Sequence, residues 1–328
     1  MDKRLYPLKF NPIIKDKIWG GNKLHEILGK LIGNLPNIGE SWELSGVAGN
    51  VSVVINGFLK GKDLKNLLKT YKQSLVGKKI YEKFGNEFPL LIKFIDAKEP
   101  LSIQVHPTDE VAAKRHGSFG KTEMWYVMKA DNDAHIISGF NAQITPEQYE
   151  KAVSENSLEN YLAKHTVSQG DIFFIPAGRV HSIGKGVMLA EIQQTSDLTY
   201  RIYDFNRIDD KGNKRELHTE FAKEAIDFTI PTSYRTNYKP IMNQSVEAVK
   251  SAYFSTNVIE LNKQIERDYY NFDSFVILIC VEGAADIEYN TENREKIKMG
   301  ETILIPAELR KIRVIPQKQA KMLEVTIL

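Results

Sequence analysis

Short apolar runs broken by Gly, Pro and acidic turn residues set the pattern of this chain. Residues 91–95 read Leu-Ile-Lys-Phe-Ile, residues 123–128 Glu-Met-Trp-Tyr-Val-Met, and residues 198–205 Leu-Thr-Tyr-Arg-Ile-Tyr-Asp-Phe. Their length and their β-branched and aromatic content predict strands. Residues 100–107 read as a strand ending at Pro107. A unit repeats: Gly-Asp-Ile-Phe-Phe-Ile-Pro-Ala at 170–177 returns as Gly-Glu-Thr-Ile-Leu-Ile-Pro-Ala at 300–307, each preceded by an apolar strand segment, 124–130 and 275–283. Gly-Asp/Glu makes a turn and Ile-Pro ends a strand. The repeat predicts a mainly β chain built of two related β-barrel halves. Helical spacing is confined to insertions: Leu64, Leu67, Leu68, Tyr71, Leu75, Ile80 and Tyr81 predict a helix over 62–84. Thr-Pro-Glu at 145–147 opens a second, to about Ser154, with a further turn or two over 158–164. A short helix is expected over 219–228.

The strand pattern places chemistry. On a strand, residues two apart share a face, so Gln104 and His106 project together while Ile103 and Val105 pack behind them. Glu123 opens the next strand, and His181 follows the turn after 170–178. Two imidazoles, a carboxylate and an amide oxygen, all expected from strands of one sheet, suit a divalent transition metal. The second copy has Glu-Leu-Arg after its Ile-Pro-Ala and no histidine, so it is expected to hold no metal and to serve structure. The division expected is 1–235, with insertions near 62–84 and 145–164, and 236–328.

Bulk properties narrow the class. A net charge of +2 makes no electrostatic case for nucleic acid or an anionic membrane. One cysteine, Cys280, rules out an intramolecular disulfide and fits a reducing, cytoplasmic compartment. No secretory h-region and no apolar run of membrane-spanning length is present in the sequence.

Gln-Val-His-Pro at 104–107, Gly-Lys-Thr-Glu-Met-Trp-Tyr at 120–126 and Ile-Pro-Ala-Gly-Arg-Val-His-Ser-Ile-Gly at 175–184 stand in the order of a cupin metal site. With Trp-Gly-Gly at 19–21, Gly-Glu-Ser-Trp-Glu at 39–43 and Ser-Asp-Leu-Thr-Tyr-Arg at 196–201, the chain resembles the short bacterial form of type I mannose-6-phosphate isomerase, from about Pro7 to Arg207. The resemblance implies two cupin-type jelly-roll halves and one zinc per chain on Gln104, His106, Glu123 and His181. It also implies a sugar-phosphate substrate passing through a cis-enediol. Arg201 falls at the family's catalytic arginine, and Lys121 at the lysine before the glutamate ligand. Lys93, which interrupts an apolar run, Lys121, Arg201 and Arg179 are the candidate phosphate cations. Glu40 and Trp19 are expected to line the pocket. The proton carrier stays open between a metal-bound water, Lys121, Glu40 and Asp204. A loop at His116 is a candidate to close over the site. His25, His135, His165 and His218 are expected to be surface or structural. An Fe(II) cupin oxygenase and a non-catalytic sugar-binding cupin are the alternatives, and a monomer or a homodimer is expected.

Overall fold

The computed structural model describes residues 4–208, 211–290 and 293–327. Three antiparallel sheets make up the β framework, and they pack as jelly-roll layers rather than closing into barrels. One seven-stranded sheet runs in the order Arg235–Thr236, Ile172–Ile175, Glu123–Ala130, Val187–Gln194, Leu90–Ala97, Ile13–Gly21 and Ile38–Leu44. Facing it, a five-stranded sheet runs Tyr200–Tyr203, Ile103–Val105, His181–Ile183, His135–Phe140 and Leu162–Thr166. The eight-stranded sheet is built mainly from the C-terminal part and takes in the N-terminal strand Leu8–Lys9, which pairs with Thr302–Ile305.

The seven-stranded sheet is buried on both faces. Along Glu123–Ala130, Trp125 and Val127 point toward the five-stranded sheet and join a core with Trp19, Ile95, Phe173 and Leu189. Met124, Tyr126 and Met128 point the other way, into a larger core shared with Phe254, Phe275, Ile277 and Leu323 of the C-terminal part. Phe88 against Phe275, with ring centroids 4.9 Å apart, is one contact across that seam. A strand buried on both faces has no polar side to show, which is why these runs are almost continuously apolar in sequence.

The repeat is structural. Glu123 pairs with Ile175 and Tyr126 with Ile172; in the second copy Val276 pairs with Ile305 and Ile279 with Thr302. Val276 thus occupies the position of Glu123. Counting on from the repeated Ile-Pro-Ala, Lys311 opens a strand where His181 opens its own. Gly170 and Gly300 turn into the repeated strands with φ of 94° and 83°, a region costly for any residue with a Cβ.

The insertions differ in detail from the pattern. The helix expected over 62–84 is interrupted twice: Leu64–Val76 is kinked at Lys72, with φ 45°, and Lys78–Phe84 follows a break at Gly77, with φ 97°. Apolar spacing alone does not register a glycine whose positive φ redirects the chain. Pro146–Ser154 is a helix with a full capping box between Thr145 and Gln148. Residues 158–164 form one 3-10 turn, Leu158–Tyr161, and then enter strand Leu162–Thr166, because pairing with His135–Phe140 outweighs local helix preference. The helix expected over 219–228 spans Thr219–Ala225.

Candidate metal centre and active site

The site lies between the five- and seven-stranded sheets. His181 opens its strand opposite Gln104, and Gln104 in turn pairs with Arg201, so Arg201, Gln104 and His181 form one cross-strand row. His106 sits one residue past the strand Ile103–Val105, and its carbonyl accepts the Gly178 N–H at 2.8 Å. Glu123 comes from the opposite sheet, not from one sheet with the others as expected, because its strand pairs with Ile172–Ile175 and Val187–Gln194. Its two oxygens lie 3.4 Å from His181 Nε2 and 3.5 Å from His106 Nε2, with all three side chains buried.

The donor set passes a physical test for a metal. Both ring nitrogens of His106 and both oxygens of Glu123 are buried with no hydrogen-bond partner. Orphaned buried polar atoms are costly, and a cation held between the residues would satisfy His106 Nε2 and the Glu123 oxygens that face it, though not His106 Nδ1 on the other side of the ring. Burial holds both histidines below their ordinary pKa, with Lys121 and His181 adding to the effect on His106, so the imidazoles are neutral and able to coordinate. At His181, Nδ1 lies 2.8 Å from the Arg179 carbonyl, which makes Nδ1 the donor and leaves the Nε2 lone pair facing Glu123. Gln104 sits beside them with its amide nitrogen 3.3 Å from His181 Nε2 and its oxygen accepting from Ser102. Ligation through Gln104 therefore requires the amide to be turned over, an interchange of like-shaped groups.

Beside this cluster opens a cleft of about 260 Å³ lined by Trp19, Glu40, Lys93, Gln104, Lys121 and Arg201, among others; Gln104 and Lys121 are the lining residues that adjoin the buried cluster. The candidate residues thus converge, with exceptions. Arg179 does not line the cleft; its guanidinium stacks on Tyr234. The segment at His116 is the last turn of helix Asp109–His116, where His116 bonds the Tyr200 hydroxyl at 2.8 Å; it is not a closing loop. Asp204 is held below its ordinary pKa: burial works against this, but Arg215 and Arg207 bond its carboxylate.

Lys93 does not face solvent. It is buried in a cross-strand row, Trp42–Lys93–Glu191–Trp125, that crosses four strands. Its ammonium lies 3.0 Å from Glu191 Oε2, and the other Glu191 oxygen accepts Trp125 Nε1–H at 3.0 Å. Burial alone would lower the Lys93 pKa; Glu191 and Glu40 overcome that and raise it. Glu40 accepts from Trp42 Nε1 and lies 3.4 Å from Lys17. Burial opposes its ionisation, yet Lys93, Lys17 and the Trp42 bond bring its pKa down to about 2. Lys121, also buried, comes within 3.9 Å of Glu123 Oε2.

Glu191, Arg215 and Lys17 are cleft residues that the sequence reading does not single out, and His218 lines the cleft rather than the surface. Glu191 had a signal: it is the one charge in the otherwise apolar and amide run of Val187–Gln194.

Comparison with known proteins agrees with this geometry. The profile of the phosphomannose isomerase type I catalytic domain matches residues 7–134, and that of the mannose-6-phosphate isomerase cupin domain matches residues 244–320. Mannose-6-phosphate isomerase ManA of Bacillus subtilis is 35% identical over 311 residues, covering 94% of this chain and 95% of its own. A Streptococcus mutans mannose-6-phosphate isomerase is 38% identical over 254 residues, 76% of this chain and 77% of its own. The crystal structure of a Bacillus subtilis mannose 6-phosphate isomerase superposes with a TM-score of 0.86 at 30% identity, over 99% of this chain and 100% of that one. A mutant phosphomannose isomerase from Salmonella typhimurium, 16% identical, shares the fold with a TM-score of 0.78 over 98% of this chain and 99% of its own. With a buried His–Glu–His cluster beside a lysine- and arginine-lined cleft, and with sequence similarity running almost the full length of both chains, this protein belongs to the type I mannose-6-phosphate isomerase family.

Proposed function

We propose that the chain interconverts mannose 6-phosphate and fructose 6-phosphate as a zinc-dependent aldose–ketose isomerase, through a cis-enediol, in the cytoplasm. The observation that carries this reading is the buried His106–Glu123–His181 cluster, with its unpartnered nitrogens and oxygens, adjoining a cationic cleft through Gln104 and Lys121. His106, Glu123 and His181, with Gln104 once its amide is turned, would hold one zinc. Bound there, zinc would serve as a Lewis acid toward the sugar's carbonyl and hydroxyl oxygens.

The chain's own residues supply the rest. Arg201 anchors anionic oxygen; as a guanidinium it stays protonated and does not act as a base. Lys93 and Lys121 orient the substrate and its phosphate. Lys93 is already paired to Glu191, so its charge reaches the substrate as part of that fixed pair. Glu40 remains ionised down to a pKa of about 2, which makes it a poor proton acceptor near neutrality, and Asp204 is held low in the same sense. Lys121 Nζ is left as the side-chain atom proposed to carry the proton. Trp19 walls the cleft. In this reading residues 1–235 form the catalytic unit, and residues 236–328, with Val276 and Lys311 at the ligand positions, serve structure.

The test is metal analysis joined to a coupled assay. Purified protein, chelated and then given zinc, should bind one metal per chain and form fructose 6-phosphate from mannose 6-phosphate. His181→Ala should lose both. Full turnover by chelated His181→Ala would refute the metal assignment. Oxygen uptake with bound iron, in place of isomerisation, would refute the reaction.

A further inference from the structure

The charges around the cleft are unevenly matched. At the Glu40 side the cations are paired: Lys93 with Glu191 at 3.0 Å and Lys17 with Glu40 at 3.4 Å. At the other side stand Arg201 and Arg215, both lining the cleft. No carboxylate lies within ion-pair distance of Arg201 among the described residues. Its Nη1 donates to the Glu216 carbonyl at 2.8 Å, and its buried Nε has no partner. Burial and the neighbouring positive charge of Arg215 both bear down on the Arg201 pKa, the sign of two cations held close in a half-desolvated place.

Arg215 is held there by one edge. Its Nε donates to Asp204 Oδ2 at 2.7 Å and its Nη2 bonds Asp204 Oδ1. A guanidinium has five N–H donors, so this bidentate contact leaves the opposite edge of the fork for another oxyanion. The segment that carries Arg215 is tied to the strand that carries Arg201: His218 N–H donates to the Arg201 carbonyl at 2.7 Å, and Arg201 N–H donates to His218 Nδ1 at 3.3 Å. Arg201 is also two steps along the cross-strand row from His181, roughly 10 Å at about 5 Å per step. A sugar lying along that row would put its carbonyl end at the metal ligands and its far end between the arginines.

We propose that Arg215 and Arg201 together seat the dianionic phosphate of the substrate, and that Asp204 is a positioning residue that presents the Arg215 fork. The inference rests on the isomerase reading for the identity of the substrate, and on the arginine geometry alone for phosphate. It assigns phosphate selectivity to the segment after the Tyr200–Tyr203 strand, and so narrows the part proposed above for Lys93 and Lys121 from the phosphate to the rest of the sugar.

The test separates the two. Inorganic phosphate is titrated calorimetrically into the full chain, and KM and kcat for mannose 6-phosphate are measured beside it. Arg215→Gln should weaken phosphate binding and raise KM by about ten- to hundred-fold, the loss of a charged hydrogen-bonded contact. Arg215→Lys should recover part of the affinity, since it restores charge without the fork. Arg207→Gln removes another Asp204 contact but no cleft residue, and should leave phosphate affinity unchanged. Equal phosphate affinity and KM in Arg215→Gln and wild type would overturn the inference while leaving the isomerase reading intact. Equal weakening in Arg207→Gln would also overturn it, because the effect would then be structural. Phosphate binding that depends on Arg215, in a wild-type protein without isomerase activity, would uphold the arginine site and sink the isomerase reading instead.

Discussion

Replacing Lys93 with methionine tests the electrostatics of the cleft directly. Methionine nearly conserves the buried volume, so packing is little disturbed. What changes is charge. The Lys93 and Glu191 side chains are 4% and 5% exposed and 3.0 Å apart, so removing the ammonium leaves a carboxylate buried with only Trp125 Nε1–H as partner. Breaking one side of such a pair costs about 3–5 kcal/mol. That is a large share of the roughly 5–15 kcal/mol that holds an ordinary domain together. The Lys93→Met/Glu191→Gln double variant should recover most of it, because the amide oxygen of glutamine still accepts from Trp125 and no charge remains. Both variants lose the contact of Lys93 with the Trp42 ring, so their difference isolates the stranded carboxylate. Urea unfolding followed by tryptophan fluorescence reads the result. The single variant should unfold about 1 M or more earlier in urea, and the double should return toward wild type. A single-variant loss below about 1 kcal/mol, or a double variant no more stable than the single, would refute the assignment of Glu191 as a charge dependent on Lys93.

Other perturbations follow from the same geometry. Glu123→Gln should abolish metal binding, since it removes the negative charge and replaces one of the two oxygens facing His106 and His181 with an NH2 donor; equilibrium dialysis with zinc checks it. Glu40 has its folded pKa lowered from 4.5 to about 2, so its ionised form contributes stability above its unfolded pKa that is lost as pH falls toward 2. The amount is roughly 3 kcal/mol, and Glu40→Gln should flatten acid unfolding curves between about pH 4.5 and 2. Gly77→Ala would set a Cβ 2.3 Å from the Asp273 carbonyl at a φ of 97°, and should lower the melting temperature in calorimetry through a cost of about 1–3 kcal/mol. A Gly77→Ala melting curve identical to wild type would contradict the helix break assigned there.

Much of the site was legible because its chemistry is local. Spacing of two puts Gln104 and His106 on one side, whatever the rest of the fold does. The repeat at 170–177 and 300–307 reports itself by turn chemistry, Gly then Pro, and the lack of a histidine after its second copy is a plain fact of sequence. The resemblance to the isomerase family rests on such short motifs. Less legible was anything that depends on partners distant in the chain. Residues 158–164 carry a weak helical preference that strand pairing overrides. The continuous apolar run at 124–128 gives no hint of its two destinations, since both faces are buried.

By itself, then, the sequence determined the strand-rich class, the internal duplication, the metal-ligand set as a hypothesis and the family. These depend on side-chain period, on proline and glycine, and on residue type. Only the tertiary structure decided that Lys93 is a buried ion-pair partner rather than a solvated lysine, because Glu191 stands 98 positions along the chain and meets it through register. It likewise decided that Glu40 is locked as an anion, that Asp204 belongs to Arg207 and Arg215, and that Arg179 turns to Tyr234. Charge pairing and desolvation are properties of a place, and places are made when distant strands are brought side by side.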